Sequence, residues 1–87
     1  MSQDSRKLWL VNKGDKAYHR AYKAFLKRLI AARLEAGYLQ ADVSKRMGKA
    51  RTFISKCELG ERRVDAVELR MLAKIYGKSV MYFLGEE

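Results

Sequence analysis

The sequence predicts a small all-α domain of five helices, and three observations lead there. Apolar residues recur at intervals of three and four along most of the chain, which is the helical period. The 87 residues contain no proline to interrupt a helix, and no segment reads convincingly as a strand. Glycine stands at 37, 48, 60 and 77, each just past a periodic run, where a chain commonly leaves a helix. A chain of this length fits one domain with a single small core. We divide it into an N-terminal arm, 1–15, and a helical domain, 16–87.

Met1 to Lys7 is polar and is expected to be mobile. Leu8, Trp9, Leu10 and Val11 form an apolar patch closed by Asn12, Lys13, Gly14 and Asp15. Such a patch can pack as an extended arm or as a helical turn, on its own domain or on a second copy. Asp15 is a candidate N-cap for the first helix. Tyr18, Tyr22, Phe25, Leu26, Leu29, Ile30 and Arg33 then share one face of about 20 residues ending near Gly37. The opposite face carries Lys16, Arg20, Lys23, Lys27 and Arg28, a solvated charge face or a contact surface.

The second helix runs from Leu39 or Gln40 to Met47 and buries Val43, Ser44 and Met47. Gly48 turns the chain, and a third helix from Ala50 to Leu59 buries Ile54 and Cys57. After the basic loop from Glu61 to Asp65, a fourth helix has Ala66, Val67, Leu69, Leu72, Ala73, Ile75 and Tyr76 on its apolar side. Ser79 is placed to cap a last short helix holding Val80, Met81, Tyr82, Phe83 and Leu84.

Lysine and arginine number 19 against 10 acidic residues, a formal net charge of +9, and they are spread from Arg6 to Lys78. A balance of this kind suits a polyanionic partner, because neutralising phosphates releases condensed counterions. A merely soluble, highly charged surface has the same composition. Cys57 stands alone, so one chain offers no disulfide framework or thiolate metal cluster, and no metal or cofactor is expected. No apolar run approaches the roughly 20 residues of a membrane span, and none resembles a signal-peptide core. We read a cytoplasmic protein without membrane contact. There is no paired-carboxylate, Cys/His or phosphate-loop constellation, so an enzyme has little support. His19, on the basic face, reads as a surface residue. The aromatic stripe of Tyr18, Tyr22 and Phe25 reads as core packing, or as a stacking platform if exposed.

The third helix divides into two faces. Ile54, Cys57 and marginally Glu58 point inward; Thr52, Ser55, Lys56 and Leu59 point outward, with Arg51 at the N-terminal end. An arginine, two hydroxyls and a lysine without an acid suit the major groove, where guanidinium bonds guanine O6 and N7 and hydroxyls bond bases or phosphates. Thr52 can equally satisfy its own backbone at a helix N-terminus.

The stretch from Leu26 to Leu84 resembles the lambda-repressor-like helix-turn-helix family, the Cro/Xre type of bacterial and phage DNA-binding domain. Gln40 opens the second helix where that family usually has glutamine, and small Ser44 stands where alanine is usual. Gly48 is at the turn, Ile54 at the inward branched position, and Glu58 with Gly60 matches the ending ExG. GERRVDAVELRMLAKIYGKSV is similar to the family's fourth helix and the lead into its fifth. Leu39 departs from the usual Ser/Thr cap, Lys49 replaces an apolar turn residue, and the extension before Leu26 lies outside the pattern.

The resemblance implies a compact five-helix domain binding double-stranded DNA. Ala50, Arg51, Thr52, Ser55 and Lys56 would read bases, with Arg51 able to take a phosphate instead. Gln40, through its side chain or the helix-terminal amides, would hold a phosphate and brace the third helix. Lys49 would reach a phosphate, and Arg62 and Arg63 would clamp the backbone or serve as ordinary loop charges. Arg33 and Glu58 match a basic and an acidic position that the family commonly pairs, a structural tie setting the angle of the reading helix. Val80, Met81, Phe83 and Leu84 exceed what so short a helix can turn inward, which suggests a two-fold interface. A homodimer would then place two reading helices about 34 Å apart on a palindromic operator. The function expected is a sequence-specific transcriptional regulator acting as a repressor. The alternative is an antitoxin or adapter of the same fold that binds a protein partner through its arm and Trp9 and autoregulates its operon.

Overall fold

A computed structural model of the chain describes residues 16–85. The arm, its Leu8–Val11 patch, the proposed cap at Asp15 and the last two residues of the domain lie outside the described residues. Five helices follow in order: α1 Lys16–Ala36, α2 Gln40–Arg46, α3 Phe53–Glu58, α4 Ala66–Tyr76 and α5 Val80–Leu84. No strand occurs among the described residues, and the class is all-α.

α1 carries the packing. Phe25, Leu29 and Ala32 face inward one turn apart and belong to one core cluster with residues of the later helices. α2 contributes Val43, with Met47 just past its end; α3 contributes Phe53, Ile54 and Cys57; α4 contributes Leu69, Leu72, Ala73 and Tyr76. Each large side chain moved from water into this cluster stabilises the fold by about 1.5–3 kcal/mol. Tyr76, Phe83 and Tyr82 lie in sequence, with centroids 6.4 and 5.0 Å apart, and join α4 to α5. Burial raises both the Tyr76 hydroxyl and the Cys57 thiol, so neither ionises near neutrality.

α4 begins at a capping box. The Glu68 amide donates to Asp65 Oδ1 at 2.7 Å, and the Asp65 amide donates to Glu68 Oε1 at 3.0 Å. Ser79 caps α5 by accepting from the Tyr82 amide at 3.2 Å. α2 has Leu39 at its N-cap, with no side-chain cap hydrogen bond.

Three expectations need correction. α3 begins at Phe53, not Ala50: the turn consumes Lys49 and Ala50, and Thr52 at φ −91°, ψ 5° is the N-cap. Val67 is on the outside of α4, 59% exposed. Phe83 is fully buried and so is not part of an exposed interface face. A five-residue helix turns one large residue into the core, and Phe83 is that residue. Met81 and Leu84 remain exposed and Val80 half-buried.

Candidate nucleic-acid interface

The helix pair is held first by its turn. Gly48 has φ +68°, a conformation costly for any side chain with a Cβ. That lets the Lys49 amide donate back to the Ser44 carbonyl at 2.9 Å. Ser44 is fully buried, and its hydroxyl accepts from the Ile54 amide at 3.0 Å. An amide left without an intrahelical partner at the start of α3 is thereby satisfied by α2. A residue chosen for smallness thus also stitches the two helices together.

The end of α3 is held by a three-residue cluster. Arg33 Nε donates to Glu58 Oε2 at 2.7 Å and its Nη2 to Oε1 at 3.0 Å, while Gln40 Nε2 also donates to Oε1, at 2.8 Å. Arg33 Nη1 donates to the Tyr38 carbonyl at 3.0 Å. The Arg33 and Glu58 side chains are 10% and 7% exposed, so the bidentate pair sits almost out of water. Hydrogen bonding to Glu58 raises the arginine pKa further. Gln40 spends its side chain on this brace, with the start of α2 beside it.

With both ends fixed, the outer surface of the pair is determined. Ala50, Arg51, Thr52 and Lys56 are exposed and Ser55 half-buried. Arg51 and Thr52 lie on the turn that leads into α3, and Ser55 Oγ donates to the Thr52 carbonyl at 3.0 Å. Among the described residues no ion pair involves Arg51 or Lys56. The cleft beside Arg51 is lined by Ala41, Asp42, Lys45, Gly48 and Lys49, so one acid faces three cations there.

The cations expected at phosphates have other neighbours. Lys49 Nζ is 3.2 Å from Glu68 Oε2, and Arg62 Nη1 is 2.5 Å from Glu68 Oε1. Both also lie over the Phe53 ring, at 5.3 and 4.8 Å from its centroid. Arg62 Nη1 donates to the Arg63 carbonyl at 2.7 Å, and Arg63 stacks over Tyr22 and Tyr18 at 4.5 and 5.2 Å. Burial alone would push the Glu68 carboxyl up. Hydrogen bonds from Arg62, the Asp65 amide and Lys49 more than offset this and hold it below its ordinary range. Sequence reasoning passed over both Glu68 and Phe53. The Asp65-x-x-Glu68 spacing carries the first, and the four-residue interval from Phe53 to inward Cys57 carries the second.

The surface around the turn carries Lys45, Lys49 and Arg51 against one acid, Asp42. No group of His, Cys, Asp and Glu able to hold a metal occurs among the described residues. No helix there is long and apolar enough to cross a membrane. A family model described as helix-turn-helix matches residues 29–83, from the second half of α1 to α5. No curated protein and no solved structure matches the chain. The match covers more than half of the sequence and includes the Gly48 turn, the Arg33–Glu58 pair and the exposed turn leading into α3. The chain therefore belongs to the lambda-repressor-like, Cro/Xre-type helix-turn-helix family of DNA-binding transcription regulators.

Proposed function

We propose that the protein is a sequence-specific repressor that binds a palindromic operator as a homodimer, with α3 in the major groove. The observation that carries this reading is the free outer surface at the start of α3. Arg51, Thr52 and Lys56 offer donors there and Ser55 an acceptor, while the carboxylates of Glu58 and Glu68 are turned inward onto cations of the fold. A duplex approaching this surface meets little fixed negative charge.

In this reading Arg51 takes a guanine edge in the major groove, and Ala50, Thr52, Ser55 and Lys56 contact neighbouring bases or phosphates. The start of α2 at Gln40, with Lys49, Arg62 and Arg63, supplies backbone contacts that position the domain. Lys49 and Arg62 keep 36% and 42% of their side-chain surface exposed, enough to meet a phosphate from the Glu68 site. Val80, Met81 and Leu84 form the dimer face, and the two-fold axis makes the operator symmetric.

The test is selection of bound duplexes from a random pool, followed by titration of Arg51→Ala on the selected and a scrambled site. A two-fold symmetric motif is expected, with a loss of about 1–3 kcal/mol on the selected site alone. Equal losses on both duplexes would remove Arg51 from base reading. An asymmetric motif would refute the homodimer.

A further inference from the structure

The first turns of α1 precede the family match, which begins at residue 29, yet they are not idle. Tyr18, Tyr22 and Phe25 form one wall of an apolar groove of about 340 Å³, completed by Val64, Leu69 and Leu84, with Phe83 lining it too. The wall is set in place. Tyr22 Oη accepts from the Val64 amide at 3.3 Å, and the Arg63 guanidinium lies over the Tyr22 and Tyr18 rings. Nothing among the described residues fills the groove.

We propose that the groove is the docking site of the chain's own apolar segment, Leu8–Val11, folded back over the start of α1. Length and position argue for this occupant. From Tyr18 to Phe25 the helical wall is about 10.5 Å long at 1.5 Å per residue. Four extended residues cover about 13 Å, a close match. α1 begins at Lys16, at the Tyr18 end of the groove. Asn12 to Asp15 can span at most about 14 Å, and Gly14 among them allows the chain to reverse. A tether this short gives the segment an effective concentration in the millimolar range, which favours it over a separate partner. Apart from Met1, Leu8 to Val11 are the apolar residues of the first fifteen, so the match is between that patch and the groove nearest to it.

Trp9 is the chain's single tryptophan, so its fluorescence reports this contact directly. The full chain is measured for emission maximum and acrylamide quenching across a wide concentration series. Ala21→Glu is compared with it: Ala21 is an exposed α1 residue at the groove, where a carboxylate would repel an apolar occupant without touching the core. The expected result is blue-shifted emission and quenching several-fold weaker than in urea, independent of concentration, with both lost in Ala21→Glu while helicity is kept. Should that variant unfold, Ala66→Glu on the opposite wall takes its place. Trp9 quenched as in the unfolded chain would overturn the proposal. Burial that appears only as concentration rises would assign the groove to a second copy's arm, and burial unaffected by the folded groove variants would place Trp9 elsewhere; either outcome overturns it.

Discussion

Truncation of Glu58 to alanine removes the acceptor of three hydrogen bonds, two from Arg33 and one from Gln40. It leaves a guanidinium whose side chain is 10% exposed with a single remaining bond, to the Tyr38 carbonyl. Breaking a buried pair from one side costs about 3–5 kcal/mol, because the surviving charge is uncompensated. Stability of about 0.05–0.15 kcal/mol per residue puts this chain in the range of about 4–13 kcal/mol, so Glu58→Ala removes about a quarter of it or more. Replacing both partners, as Arg33→Met with Glu58→Leu, takes away the charge together with its partner and is expected to recover most of the loss. Urea unfolding of the two single variants and the double checks this. At a slope of about 1–3 kcal/mol/M, the single variants should lose at least 1 M of midpoint. DNA titration of the folded double variant then separates stability from geometry: if the pair sets the angle of α3, the double variant binds the selected operator more weakly than wild type. Single losses below about 1 kcal/mol, or a double variant no more stable than the singles, would refute the reasoning.

Two further outcomes follow from the same geometry. Ser44→Ala deletes the acceptor of the buried Ile54 amide and should cost about 1–3 kcal/mol in denaturant unfolding, although alanine is common there in the family. A neutral substitution would mean that another group satisfies that amide. Because the folded-state pKa of Glu68 lies below its unfolded value, its contribution is fully present above about pH 4.3 and is lost as pH falls through the lower folded value. Thermal midpoints should therefore place wild type above Glu68→Gln at neutral pH, with the gap closing in acid; a gap independent of pH would contradict the assignment.

Most of the element order was legible in residue type and spacing. Helical periodicity without proline gave the helices, and the caps at Ser79 and the glycine ends gave most boundaries, because capping is a local property of a few consecutive residues. The start of α3 is not legible in the same way, since the turn after Gly48 continues through Arg51 and Thr52 and local propensity there does not distinguish a turn from a first helical turn. Val67 departs from its expected side for a related reason: on an eleven-residue helix, one position decides between the edge of the apolar stripe and its outside.

The all-α class, the helix-turn-helix family and the residues on the outer side of α3 are all readable from residue order, because they follow from periods and short motifs. Where the remaining charges go depends on the packing of the helices. Glu68 gathers Lys49 and Arg62 from 19 and 6 residues away, Gln40 turns to Glu58, and Arg63 lies on aromatic rings of α1. Such pairings depend on which groups a fold brings within a few ångströms, and no local pattern encodes that. The same holds for Phe83: its place in the core is set by how α5 packs on α1 and α4, and it leaves the expected dimer face to its neighbours.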